Sequence, residues 1–354
     1  MKKNVQRSNS PVTIKDIASV LSVSNATVSR ALADSPLISD RTKNRVRTVA
    51  AELGYVPDNI ARMMRGEASN LVGFILPDVQ NHFYSAMAKM LAENVSTIGL
   101  QLVLAISEGD PERELRHVRE LRRARAQGII VTPVADMLPE TADLLSGMRT
   151  VQLVRSHPLV TADLVTAQDA RAISVSTQYL LELGHRKIAY LGGGAEILDS
   201  GTNRLAGYRR AMSQVEGGVC MELLTAPYPE NGYSAARQIL EHATPPSGLV
   251  IGSSQLAVGV LRAIREMSIR VPQDLSVISY DDPDWLQLCG PGISTIALPI
   301  ADMAHQAVNL IDARYQAKTD RLEFAVDSLG PATKHFSFPV SLVERGSCMP
   351  PLID

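Results

Sequence analysis

The chain has 354 residues, 45% of them hydrophobic and 20% charged, with a formal net charge of −2. That length exceeds a single hydrophobic core and points to two or three domains, and the composition excludes a disordered or collagen-like chain. Cys220, Cys289 and Cys348 are far apart and odd in number, which gives no disulfide framework or zinc spacing and makes a reducing cytoplasm the expected compartment.

Charge is unevenly spread. Residues 1–65 hold 11 Lys and Arg against 5 Asp and Glu, leaving 24 against 32 for the rest. A small basic head on an acidic body suits a polyanionic partner. No apolar run is long enough for a membrane span, and the polar N-terminus has no apolar signal region.

Residues 1–11 carry Lys2, Lys3 and Arg7 without pattern and read as a flexible arm. In TIKDIASVLSVSNATVSRAL, Ile14, Ile17, Ala18 and Leu21 have helical spacing, and Thr13 with Asp16 makes a capping box. Ser22, Val23 and Ser24 read as a turn. Ser24 caps a second helix with Val28, Ala31 and Leu32 inward and Asn25, Ala26, Ser29 and Arg30 outward. This pattern predicts a helix-turn-helix whose second helix lies in the DNA major groove. Asn can pair with adenine, Arg can fork guanine, and Ala can meet a thymine methyl. The hydroxyls of Ser24, Thr27 and Ser29 suit phosphates, and Thr13 is also assigned to DNA. Two ordinary amphipathic helices would show the same periodicity.

Ser39 caps a third helix that Gly54 stops. Its Val46, Val49, Ala50 and Leu53 point inward; Arg41, Lys43, Arg45 and Arg47 point outward, with Arg47 assigned to DNA. Pro57 then opens DNIARMMRG, barely two turns long and marginal as a helix in isolation.

From Leu71 apolar runs alternate with amphipathic segments: LVGFIL, LQLVLAI, GIIVT, TVQLV, KIAYLGG, GLVIGS and DLSVISY, with helices between. This is the βα alternation of parallel sheets. About nine units are too many for one doubly wound domain, so two lobes are expected, with ligand sites beyond the strand C-termini.

ATVSRAL followed by ELGYVPDNIARMM resembles the lac-repressor and galactose-repressor (LacI/GalR) family. LELGHRKIAYLGG, NRLAGY and FPVSLVERGS extend the resemblance from about residue 12 to 347. It implies a multidomain chain: an all-α helix-turn-helix head at 12–56, a hinge helix and linker at 57–68, and a two-lobed α/β core resembling periplasmic sugar-binding proteins at 69–347. Lobe 1 is expected at about 69–158, 292–326 and 335–347, and lobe 2 at about 163–290. Crossovers are expected near 157–163, 290–294 and 326–334, with a crossover strand near 327–334 and a tail at 348–354. In the family the hinge helix forms on operator DNA. Met64 would be its minor-groove wedge, with Asn59 and Ala61 also at the DNA.

The resemblance also assigns a cleft. Asn81, Phe83 and Tyr84 follow the first strand, and Arg155 follows TVQLV. Arg204 and Asp281 match ligand-binding positions, Tyr233 matches a stacking aromatic, and Trp285 lies nearby. Asp78 and Asp282 are expected to cap loops, and His185 to be structural. Ser253 and Ser254 replace a usual Asn-Asp, so Ser253 takes the place of an effector-bonding Asn, and an effector or pose other than the family norm is expected.

His82, His117 and His157 have no partners at metal or triad spacing, and GGGAEI lacks the full dinucleotide pattern. No catalytic residue, metal or cofactor is expected. The resemblance therefore implies a cytoplasmic, homodimeric transcriptional repressor that binds a pseudopalindromic operator under control of a sugar or sugar acid. The alternatives are a purine-type corepressor-dependent repressor, a sugar-binding receptor without regulatory DNA binding, and an enzyme on the same scaffold.

Overall fold

The computed structural model describes residues 12–32, 35–55, 69–193, 198–312 and 333–352. The chain divides into two compact units, Met1–Glu67 and Ala68–Asp354. The expected arm, the hinge and the 327–332 part of the expected crossover strand lie outside the described residues.

In the first unit, α1 (Ile14–Leu21), α2 (Asn25–Leu32) and α3 (Asp40–Leu53) enclose one small core. Thr13 N–H and Oγ1 each donate to Asp16 Oδ2 at 2.7 Å. These bonds hold the Asp16 carboxyl below its ordinary range. Ser22 takes a left-handed φ of 55°, which turns the chain so that Val23 N–H reaches the Ala18 carbonyl at 3.1 Å. Ser24 Oγ accepts from Thr27 N–H, and Ser39 Oγ from Thr42 N–H. Ile17, Val28, Ala31 and Val46 are fully buried. Two positions of α3 depart from the expected pattern. Lys43 is buried, its stem lying along the core while Nζ pairs with Asp40 at 3.5 Å. Leu53, in the last turn, is exposed.

Among the described residues, the second unit holds two six-stranded sheets. The first is ordered β11-β5-β4-β3-β1-β2. It is built from β1 (Leu71–Leu76), β2 (Gln101–Ile106), β3 (Gly128–Val131), β4 (Thr150–Leu153), β5 (Asp163–Ala167) and β11 (His335–Phe338). Helices α4 (His82–Thr97), α5 (Pro111–Arg123), α6 (Pro139–Ser146) and α12 (Ile300–Ile311) cover it. The second is ordered β12-β10-β9-β8-β6-β7. Its strands are β6 (Lys187–Gly192), β7 (Val219–Leu224), β8 (Gly248–Ile251), β9 (Ser276–Tyr280), β10 (Ser294–Ala297) and β12 (Ser341–Val343). Helices α7 (Asp169–Glu182), α8 (Leu198–Met212), α9 (Pro229–Leu240), α10 (Ser254–Glu266) and the short α11 (Trp285–Leu288) belong to this lobe. All pairings are parallel except β10 with β12. The central strands β3, β4, β8 and β9 are buried throughout, as expected with helices on both faces.

The crossovers differ from expectation. β5 pairs with β4 and β11 in the first sheet, so the chain crosses at Gln168, after β5 rather than before it. The segment at 157–163 is a loop of the first lobe: Gln152 Nε2 donates to the Val160 carbonyl and its Oε1 accepts from His157 N–H. The glycine-rich stretch at 290–294 is a turn within the second lobe, with Ile293 N–H bonded to the Leu286 carbonyl. β10 pairs with β9, and the chain crosses at Leu298–Pro299. The third crossing is at Pro339–Val340, between β11 and β12, so residues 341–347 belong to the second lobe. Gln168 N–H donates to the Phe338 carbonyl at 2.9 Å, and Leu298 and Val340 pack against the cores of both lobes.

The segment after β12 is pinned beneath the second sheet. Ser347 is fully buried and bridges the Val277 carbonyl and Ser294 N–H. His185, 1% exposed, lies within 3.1 Å of Ser247 Oγ, Ser276 Oγ and the Met349 carbonyl. Burial lowers its pKa from the ordinary 6.5. The folded chain then binds fewer protons than the unfolded chain as pH falls through that value, so this site's stabilisation is present above about 6.5 and lost below it. Melting temperatures across pH 5–8 should show an acid limb that is shallower in His185→Gln; an unchanged limb would assign the acid loss elsewhere.

Candidate effector cleft and nucleic-acid interface

The C-terminal ends of both sheets face a cavity of about 590 Å³ between the lobes. From the first lobe, Asn81, Phe83, Tyr84 and Arg155 line it, together with Asp78. From the second come Arg204, Ser253 and Asp281. The βα units put these residues in one place: each lies just after a strand or in the helix that follows.

Several of these side chains also build the local structure. Asn81 caps α4, its Oδ1 accepting from Phe83 N–H at 3.0 Å. Asp78 accepts from Gln80 N–H at 2.8 Å. Phe83 and Tyr84 meet edge to face at 5.2 Å. Ser253 caps α10 through Gln255 N–H. Arg155 Nε donates to the Pro133 carbonyl at 2.7 Å.

Arg204 is the best-anchored cation. Its Nε donates to Asp169 Oδ1 at 2.8 Å, another guanidinium nitrogen donates to the Gly252 carbonyl at 3.0 Å, and the guanidinium lies 3.8 Å over the Tyr280 ring. Tyr280 also donates to Asp169 Oδ1. Burial opposes the charge on Arg204, but the Asp169 carboxylate outweighs it and raises its pKa. Asp281 is 3% exposed and has a positive φ of 73°. Ser254 Oγ donates to its Oδ2 and Asp282 N–H to its Oδ1. Burial raises the Asp281 pKa, and the charge of His82, across the cleft, opposes that shift. Burial likewise raises Tyr84.

Asp169, Tyr280 and Ser254 also line the cavity but are absent from the sequence assignment. Asp169 follows β5 after Gln168 alone, so the strand-end rule would have selected it had Asp163–Ala167 been read as a strand. Two assignments do not reach the cavity. Tyr233, in α9, donates its hydroxyl to Glu266 at 2.6 Å and carries Arg262 over its ring at 4.2 Å, which holds it against α10. Trp285 opens α11 and packs against the second-lobe core. Asp282 forms a two-pronged ion pair with Arg345, at 2.7 and 2.9 Å, rather than capping a loop.

In the head, Asn25, Ala26 and Arg30 are exposed on α2. Ser29 and Thr27 are half-buried, and Thr27 Oγ1 shares a 2.8 Å hydrogen bond with Ser24 Oγ. Thr13 is exposed, although its hydroxyl already serves Asp16, and Arg47 is exposed on α3. Asn59, Ala61 and Met64 lie outside the described residues. Among the described residues, no group of three His, Cys, Asp or Glu side chains is placed to hold a metal ion, and no helix is long and apolar enough to cross a membrane.

A helix-turn-helix head followed by a two-lobed sensing core defines a ligand-responsive transcriptional regulator. The chain belongs to the lacI family of bacterial regulatory proteins: that family's model matches residues 13–58, and the periplasmic binding protein-like domain matches 177–348. The HTH-type transcriptional regulator DegA of Bacillus subtilis is 30% identical over 299 residues, which cover 82% of this chain and 88% of DegA. The ribose operon repressor of Escherichia coli is 28% identical, with 87% and 94% covered. The crystal structure of the lac repressor dimer bound to operator and the anti-inducer ONPF matches with a TM-score of 0.77 at 24% identity, covering 96% of this chain and all of that one. The chain is therefore a DNA-binding transcriptional regulator with an effector-type core.

Proposed function

We propose that the chain acts as a homodimeric repressor on a pseudopalindromic operator, and that a sugar or sugar acid in the cleft sets its affinity. The cleft carries the reading: Arg204 and Asp281 face one cavity of about 590 Å³, within the size range of small-molecule sites. Carboxylate and guanidinium groups suit hydroxyls, and Phe83, Tyr84 and Tyr280 offer apolar cover. A lacI-family regulator from Enterococcus faecium, 24% identical with a TM-score of 0.65, was solved with bound ribose. We read the cleft as sensing rather than catalytic, and the protein as cytoplasmic.

Two heads related by a twofold axis would read the two half-sites. Asn59, Ala61 and Met64 are assigned to a hinge that orders on DNA, with Met64 as the wedge. Effector favouring one lobe arrangement would change hinge spacing; a coupling of ~1–3 kcal/mol changes operator affinity ~5–150-fold. Titrating the full chain on DNA flanking its own gene, with and without a panel of sugars and sugar acids, tests this. Binding that is sequence-independent and unmoved by every compound would overturn it.

The head separates base reading from phosphate contact. Arg30→Ala should cost ~1–3 kcal/mol and relax preference at one base pair, whereas equal loss on every sequence would reassign Arg30 to phosphate. Arg47→Ala should weaken all sequences evenly and reduce the salt slope by about one.

A further inference from the structure

We propose that Glu114 is a positioning residue of the effector cavity: its buried carboxylate holds the loop at 133–136, and through that loop Arg155, in the geometry that the ligand meets. Glu114 lies in the first turn of α5 and is 0% exposed. It does not line the cavity. Its Oε2 accepts from Val134 N–H at 2.9 Å, and its Oε1 is buried without a hydrogen-bond partner. Val134, Ala135 and Asp136 form part of the cavity wall. Arg155 lines the same wall and anchors to the adjoining Pro133 carbonyl at 2.7 Å. One loop thus carries both an anchor from behind and an anchor to a candidate ligand-binding cation.

A fully buried carboxylate with one oxygen unpartnered is costly as structure alone. A Leu or Met there would fill the space without that penalty. What the carboxylate adds is a charge-assisted bond to a single loop N–H, and such bonds are about twice as strong as neutral ones. Burial pushes the Glu114 carboxyl up to about 7; its bond to Val134 and the charge of Arg155 pull the other way, and Asp136 adds to the rise. The bond's strength therefore varies through neutral pH, with the ionised form holding the wall more firmly.

Several other charged groups around α5 are paired away from Glu114. Glu140 of α6 pairs with Arg119, and Glu108 and Asp110 pair with Arg113. The His117 ring bonds to the Ile106 carbonyl at 3.2 Å. Arg155 and Asp136 are thus the charges that set the field at Glu114.

Amide hydrogen exchange on the full-length protein tests the proposal without any ligand. Corrected for intrinsic rates, protection of a peptide spanning 132–138 should fall roughly five- to tenfold from about pH 8 to about pH 6 in the wild type, as the bond loses its charge. Glu114→Gln keeps the volume and an acceptor but not the charge, so it should be flat at the low-pH value. Asp136→Asn, a change at an exposed position, should move the wild-type midpoint to lower pH. A flat wild-type profile, or an unchanged profile in Glu114→Gln, would overturn the proposal. That this wall serves an effector rests on the reading of the cleft given above, and calorimetry with D-ribose and a sugar-acid panel tests that reading separately. If the loop profile holds and no compound binds, the sugar reading fails while the hold of Glu114 on the wall stands. If a compound binds, its affinity should fall with the same midpoint as the loop protection, and a pH-independent affinity would refute the positioning role.

Discussion

Replacing Arg204 by alanine is expected to abolish the effector response and to destabilise the core by about 3–5 kcal/mol, the usual cost of breaking a buried ion pair from one side. The Arg204 and Asp169 side chains are only 18% and 5% exposed, so solvent screens their pairing weakly. The variant leaves the Asp169 carboxylate with the Tyr280 hydroxyl alone and removes the donor to the Gly252 carbonyl. It also strips the cation from the Tyr280 ring. Arg204→Lys keeps the charge but loses the fork and the planar stacking, and should recover only part of the stability. Arg204→Met with Asp169→Leu removes both charges together and should cost less than Arg204→Ala. Denaturant unfolding measures all three. A loss below about 1 kcal/mol for Arg204→Ala would mean that the pair is solvated in solution and not the cleft's anchor.

Gly259→Ala is expected to destabilise the second lobe by about 2–3 kcal/mol, although alanine is the better helix former by about 1 kcal/mol. Gly259 sits in α10 where a Cβ would come within 1.8 Å of the Pro229 carbonyl oxygen and 2.4 Å of Tyr233 N. Both are backbone atoms of α9, so no side chain can swing away and the two helices must part. Gly147 supplies the control. It has a negative φ, and a Cβ there would approach nothing closer than the Leu144 carbonyl at 3.6 Å, so Gly147→Ala should be near neutral. Equal thermal shifts in the two variants would refute the close-approach argument.

The head was legible because its signals are local. Thr13, Ser24, Ser39 and Gly54 mark helix ends by side-chain capping or left-handed backbone, and helical periodicity identifies most of the core. Lys43 escaped because periodicity equates charge with solvent, while a long stem can lie along a core and keep its ammonium at the edge. Strand ends selected much of the cleft correctly as lining, from Asn81 to Asp281. Tyr233 and Trp285 misled because tertiary partners in their own lobe hold them away from the cavity, which no spacing in the sequence reveals. The crossings misled for a different reason. Loops at 157–163 and 290–294 look like linkers in composition, yet the chain changes lobe at Gln168, Leu298–Pro299 and Pro339–Val340, where one or two residues follow a strand. No composition shift marks such short junctions.

The last two strands impose an order on biosynthesis. β11 completes the first sheet's edge and β12 that of the second, and only Pro339 and Val340 separate them. A translating ribosome therefore leaves both lobes unfinished until residues 335–343 have emerged, and then supplies both missing edges within a few residues. A premature stop ahead of residue 335 would leave two open sheet margins at once, each a template for aggregation.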